Sequence, residues 1–316
     1  MMEDGVLDLM CMETPHMGQV LHAPHDSAIV GDEAVVARLL GLQDRYAVTC
    51  DYCRRVQTEV QTPMRKTLAL WMSEVCEEQC CEDSVFPTAM NLLDRYLSQV
   101  SVRKLHLQLL GCVCLLLASK MRQTRALAVE ALVYYTDCSV TAQEIQAWEL
   151  EVLSRLGWDV ASVVANDFVD HLVSMLGLGD CRDTVRRHAN TFISLCATEY
   201  HFVNYRPALL AASSVATAVH GLRTPLQMQG FQDELISSLG RITNVRTVEI
   251  RRCVLEIETL MATSVAAFQQ QQQCYSKSAA VTPYPSCKSN ALVTPCIADT
   301  PSSKPNTPTD VQDINF

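Results

Sequence analysis

The segment 102–121, VRKLHLQLLGCVCLLLASKM, constrains the fold more than any other stretch. Between Leu107 and Ala118 ten of twelve residues are apolar, and Gln108 and Gly111 are the exceptions. A helix that is apolar all round has to be surrounded by other helices inside a domain. This one is too short, and too polar at both ends, to read as a membrane span. Its small residues Gly111, Cys112, Cys114 and Ala118 let neighbours approach closely. The apolar character stops at Ser119-Lys120-Met121-Arg122, so a rigid rod ends by holding a lysine at a fixed place. On the residues alone, Lys120 complements the negative end of its helix.

The remaining sequence supplies the neighbours. Its 316 residues suffice for about two domains. Leu, Ala, Met, Glu and Gln dominate, Gly is low at 11 and β-branched alternation is scarce, which makes the chain all-α. The periodicity predicts short helices over 32–42 and 44–60. A strong helix follows, with Thr62 as N-cap and Pro63 at its first position. Met64, Leu68, Trp71 and Val75 then form one apolar stripe, read as core. The next helix starts near 84 and turns Phe86, Met90, Leu93 and Leu97 inward. Beyond the central segment come a helix over 126–135 and one capped by Thr141, with Glu144 three residues on. The latter carries Ile145, Trp148, Val152 and Leu156 inward and ends at Gly157. After a connection over 158–165, Asn166 caps the first of a second set near 167–176, 182–202, 207–220, 229–240 and 245–268. In both halves aromatics precede a small-residue helix, a repeated architecture without a sequence repeat.

Both ends differ in character. Residues 1–30 lack sustained periodicity and carry Leu9-Met10-Cys11-Met12-Glu13, of the form LxCxE. Such an extended segment can dock in a groove, with Leu9 and Cys11 in pockets and Glu13 at the rim. From residue 269 a five-glutamine run leads into a Ser, Pro and Thr-rich tail that cannot build a core. Thr-Pro pairs at Thr282, Thr294, Thr300 and Thr307 suit a proline-directed kinase.

A net charge of −10 speaks against a nucleic-acid surface. The N-terminus opens with Glu3 and Asp4 instead of a basic and then apolar leader. Fifteen cysteines, many inside apolar helical patterns (Cys76, Cys112, Cys114, Cys196, Cys253), point to a reducing compartment. Cys50 and Cys53 form a lone CxxC without a second pair, and Cys80-Cys81 following Cys76 read as structural. No phosphate loop, HExxH, GxSxG or Cys/His cluster is present, so the expectation is an interaction protein without metal or cofactor.

Met64-Arg65-Lys66-Thr67-Leu68 with Trp71 resembles the MRAIL helix of the cyclin box. Leu116-Leu117-Ala118-Ser119-Lys120-Met121 resembles the end of its central helix, and Trp148-Glu149 sits where that family carries a kinase-contacting glutamate. With the LxCxE arm, VFPTAMNLLDRYL, HANTFISLCAT and the Thr307-Pro308-Thr309-Asp310-Val311 tail, nearly the whole chain is similar to D-type cyclins. The resemblance implies two tandem five-helix cyclin boxes: an arm at 1–30, a first box with its preceding helix at 31–157, a second box at 158–268 and a disordered regulatory tail at 269–316.

It further implies a non-enzymatic subunit that binds and activates cyclin-dependent kinases four and six, directs phosphorylation of retinoblastoma-family proteins and promotes the G1/S transition. Lys120, Met121 and Glu149 would contact the kinase. Met64, Leu68, Trp71, Glu74 and Gln108 would form a groove for RxL-type substrates and Cip/Kip-type inhibitors. Leu9, Cys11 and Glu13 would bind the retinoblastoma pocket domain. Phosphorylated Thr307 would trigger nuclear export and a ubiquitin ligase, placing the chain in nucleus and cytoplasm. No nucleic acid, membrane, metal or cofactor is implied. Thr67 stands where the family is usually apolar, and Arg122-Gln123 where acidic residues are common, so a weaker groove and altered electrostatics around Lys120 are expected. The alternatives are a divergent cyclin that binds a kinase without activating it, and a cyclin-fold transcription regulator.

Overall fold

The computed structural model describes residues 26–222, apart from 27 and 49, and residues 231–278, with the side chains of 231 and 267–278 excepted. Among the described residues the ordered elements are helices, arranged as two bundles. The first holds α3 (Thr62–Glu78), α4 (Val85–Leu97), α5 (Leu107–Arg122), α6 (Val129–Tyr135) and α7 (Ala142–Arg155). The second holds α8 (Asn166–Leu176), α9 (Arg182–Thr198), α10 (Pro207–Gly221), α11 (Phe231–Thr243) and α12 (Thr247–Ser278). Two shorter helices, α1 (Glu33–Leu42) and α2 (Tyr52–Arg55), precede them.

The apolar segment is the axis of the first bundle. From Leu107 to Ser119 every residue of α5 except Gln108 is buried, with α3, α4 and α7 packed around it. Each fully buried leucine there contributes about 1.5–3 kcal/mol. Gly111 favours the close approach of α3: a Cβ would lie 2.9 Å from Leu68 Cδ1 and push that side chain aside. The second bundle repeats the plan with α10, whose small residues are buried among α8, α9, α11 and α12.

Several boundaries differ from the sequence expectation. The helix expected over 44–60 is broken into a 3-10 turn, Gln43–Tyr46, and the short α2. Buried Gln57 explains the break: its amide donates to Leu97 O (2.5 Å) and Val100 O (2.7 Å) and accepts from Val102 N–H (2.9 Å). It thereby satisfies carbonyls that the end of α4 leaves open. Thr62 is a helical residue, not the N-cap; that place belongs to extended Gln61, and Pro63 is second. Asn166 is also inside its helix, and its amide donates to Asn190 Oδ1 (3.1 Å) instead of capping. The helix expected from 126 starts at Val129, because Leu127 N–H is held by Ser119 Oγ (3.0 Å). Helix α12 continues to Ser278, through the glutamine run placed in the tail, as glutamine's good helix propensity allows. Finally, α1 packs on α8 and α11 of the second bundle, not on the first box with which it was grouped.

The buried face of α3 is also offset from the stripe read from the sequence. Arg65, Leu68, Ala69, Met72, Val75 and Cys76 are buried, while Met64 and Trp71 lie at the margin. Arg65 is therefore inside. It makes a two-pronged ion pair with Asp94 on α4 (Nε–Oδ1 2.8 Å, Nη2–Oδ2 2.7 Å). It also donates to Thr198 O (3.0 Å) and Ala197 O (3.1 Å), carbonyls of the last turn of α9. Tyr52 O–H donates to the same carboxylate at 2.6 Å. One side chain thus ties α3, α4 and the second bundle together, and its cation faces the negative end of α9.

Candidate functional site

The site begins where α5 leaves the core. Ser119 is buried, its hydroxyl donating to Leu116 O at 2.8 Å. The next residues surface: the Lys120 side chain is 45% exposed, and Met121 is 47% exposed. Helix α7 lies against α5 and brings Glu149 to the same place, with Lys120 Nζ 2.5 Å from Glu149 Oε1. Leu150, on the next position of α7, is exposed as well.

Three local features fix α7. Its start is a full capping box: Glu144 N–H donates to Thr141 Oγ1 (3.3 Å) and Thr141 N–H to Glu144 Oε2 (2.8 Å). The bond from the Thr141 backbone, then that from its hydroxyl, holds the Glu144 carboxyl below its ordinary value. Trp148 packs edge-on against His106, ring centres 5.2 Å apart. The end is a Schellman turn, with Trp158 N–H on Leu153 O (2.8 Å) and Gly157 left-handed at φ +63°.

Arg122 does not disturb this pair, contrary to the expectation for its position. Its guanidinium turns to the second bundle and binds Asp167 through both oxygens (2.6 and 3.1 Å), Ser162 O (2.6 Å) and Thr88 Oγ1 (2.9 Å). Gln123 is likewise occupied, accepting from Glu82 N–H (3.2 Å) and donating to Arg125 O (2.6 Å).

The residues expected to form a docking groove lie along α3 and the start of α5. Met64, Trp71 and Gln108 are half-buried, Glu74 is exposed and Leu68 is buried beneath them. Trp71 is oriented by its indole N–H, which donates to Tyr135 O at 3.2 Å. Exposed Thr67 directs its hydroxyl to Pro63 O (3.1 Å) on its own helix. Leu9, Cys11, Glu13 and Thr307 lie outside the described residues.

The pairing of Arg65 with Asp94 and the Arg122–Asp167 clasp have no counterpart in the sequence expectation. A signal for Arg65 existed: it is in helical phase with Ala69, Met72 and Cys76, which are all buried. Among the described residues no group of three or more His, Cys, Asp or Glu is placed to hold a metal ion.

Comparison with known proteins agrees with this architecture. Residues 35–161 match the family described as cyclin, N-terminal domain, and residues 163–286 match cyclin, C-terminal domain. The chain is 39% identical over 312 residues to the G1/S-specific cyclin-D2 of Xenopus laevis, covering 98% of this chain and all of that one. It is 44% identical over 268 residues to the human G1/S-specific cyclin-D3, covering 84% and 89%. Among solved structures, a viral cyclin from herpesvirus saimiri superposes with a TM-score of 0.57 at 29% identity, over 69% of this chain and 97% of that one.

Proposed function

The chain belongs to the cyclin family, in its D-type branch, and on that premise we propose that it binds and activates cyclin-dependent kinases four and six. In this reading it directs them to retinoblastoma-family proteins and so promotes passage from G1 into S phase. The supporting observation is the Lys120–Glu149 pair, set at the surface end of the buried α5 and flanked by exposed Met121 and Leu150. A half-exposed ion pair contributes about 0–1 kcal/mol to the free chain. Opening it for a partner therefore costs little, and each charge can then be used across an interface, where close charge pairs couple by about 1.5–7 kcal/mol.

Activation is a shift of populations in the kinase. The kinase's C-helix has to swing its glutamate toward the strand lysine that holds the ATP phosphates. A cyclin that prefers the swung-in form stabilises it by its difference in affinity for the two forms. Moving the kinase from 1:99 to 99:1 needs about 5.5 kcal/mol of such difference, within reach of an interface containing two desolvated charges. Activation-loop phosphorylation supplies the rest.

The other regions take roles by the same reading. Met64, Trp71 and Glu74 border a docking groove on Leu68, where an arginine-leucine peptide of a substrate or Cip/Kip-type inhibitor would meet an acidic rim. Leu9, Cys11 and Glu13 bind the pocket domain, and phosphorylated Thr307 recruits export and ubiquitin-ligase machinery, so the chain moves between nucleus and cytoplasm. The experiment is reconstitution: purified full-length chain mixed with activation-loop-phosphorylated kinase four or six and a retinoblastoma fragment. The reading requires a stable complex and phosphorylation above that of the kinase alone. A complex without activity would favour a cyclin that binds without activating, and no complex would reopen the choice of partner.

A further inference from the structure

Helix α3 closes with a Schellman turn built from cysteines. Cys80 N–H donates to Glu77 O (3.1 Å) and Cys81 N–H to Cys76 O (2.9 Å), with Cys80 left-handed at φ +49°. That pair of bonds folds the residue two places past the cap back onto the last full turn of its helix, where the two side chains meet. Cys76 belongs to the first bundle's core and Cys81 is half-exposed against it, and both are free thiols. The Cys81 N–H on Cys76 O holds the two residues side by side at the end of the helix. The turn thus makes these cysteines more than structural residues: an accessible thiol is backed by a buried one.

We propose that Cys76 and Cys81 are a peroxide-sensitive dithiol that closes to an intramolecular disulfide. The backbone bond from Cys81 to Cys76 O (2.9 Å) brings the two residues into the proximity that a disulfide requires. The Cys76 thiol donating to the Cys81 sulfur lowers the Cys81 pKa, with help from Gln123 and against burial. The same bond and burial push Cys76 up. Peroxide reaches half-exposed Cys81 before buried Cys76 and the thiolate is the reactive form, so Cys81 is the attacking group. Its sulfur attacks one peroxide oxygen, the O–O bond breaks, and the departing hydroxide takes a proton to become water. The Cys76 sulfur then attacks the resulting sulfenic sulfur, the S–O bond breaks, and hydroxide leaves with the Cys76 proton as a second water. Two thiols are oxidised by two electrons and one peroxide is reduced by two. The turn abuts the end of α5 through Glu82 N–H on Gln123 Oε1 (3.2 Å), and closing the disulfide removes the Cys81 thiol from Gln123.

The test treats the full chain with hydrogen peroxide, alkylates it and digests it with trypsin, which releases residues 67–95 as one peptide holding Cys76, Cys80 and Cys81. The expected result is a loss of two hydrogens from this peptide, reversed by dithiothreitol, in the wild type and in Cys80→Ser. Neither Cys76→Ser nor Cys81→Ser should show it. Cys81→Ser changes a half-exposed residue, so the test does not depend on a core variant folding. The loss persisting in Cys76→Ser would assign the bond to Cys80–Cys81 and overturn the proposal. So would its absence in Cys80→Ser at a dose that oxidises exposed Cys138.

Discussion

Lys120 Nζ stands 2.5 Å from Glu149 Oε1, joining the last turn of the buried α5 to the surface of α7. The two charges hold each other in the free chain at a place where two rigid helices fix their separation. Lys120→Glu turns this attraction into repulsion at the proposed kinase contact. Loss of a charge pair that becomes buried at an interface costs about 2–5 kcal/mol, so affinity for the kinase should fall by roughly 30-fold or more. Folding stability should fall by no more than about 2 kcal/mol, the sum of the lost pair and the lost complement to the helix end. Titration calorimetry against the kinase and thermal unfolding of the free chain separate the two effects. An unchanged affinity would remove Lys120 from the interface.

Arg65 carries the opposite prediction, a large loss of stability. Arg65→Ala leaves the Asp94 carboxylate buried without its cation and strips Ala197 O and Thr198 O of their donor. Breaking a buried pair by removing one partner costs about 3–5 kcal/mol. The double variant Arg65→Met, Asp94→Leu should be less destabilised than the sum of its single variants. Urea denaturation provides the comparison, and strict additivity would mean that the pair is not coupled.

His171 makes stability depend on pH. Its Nδ1 accepts the Gly31 N–H at 3.1 Å, so the imidazole is held neutral. Burial lowers its pKa from 6.5, outweighing the opposing pull of Asp170, Asp167 and Asp32. A histidine with a depressed folded pKa contributes stability that is full above the unfolded value. That stability is lost as pH falls through 6.5 toward the lower folded pKa. The imidazole resonances should titrate below the ordinary value, and His171→Asn should lose less stability between about pH 7 and pH 5. Titration at or above 6.5 would contradict the contact.

The two-bundle plan was legible because it rests on periodicity and on α5, whose run from Leu109 to Ser119 is wholly buried. Resemblance singled out Lys120 and Glu149 as expected kinase contacts, but their pairing with each other was not legible, since they lie 29 positions apart and only packing brings them together. The links between bundles were not legible. Arg65 and Arg122 look like surface residues by type, and their partners Asp94 and Asp167 are nearby only after folding. Helix edges failed where a side chain took over backbone partners, as Gln57 does.

The amino-terminal arm gives a prediction independent of the fold. Cys11→Ala with Glu13→Ala should weaken binding to a retinoblastoma pocket domain while kinase assembly stays intact. Affinity measured by fluorescence anisotropy with the isolated pocket domain decides it. Equal affinity would make the LxCxE match accidental.

The central claim is that this chain activates its kinase through the end of α5 and the face of α7. The most direct measurement is the rate of retinoblastoma-fragment phosphorylation by phosphorylated kinase four or six, titrated with wild-type chain and with the Lys120→Glu, Glu149→Ala double variant. The account predicts saturable activation by the wild type and loss of most of it in the double variant, which remains folded. Equal activation by both would contradict it.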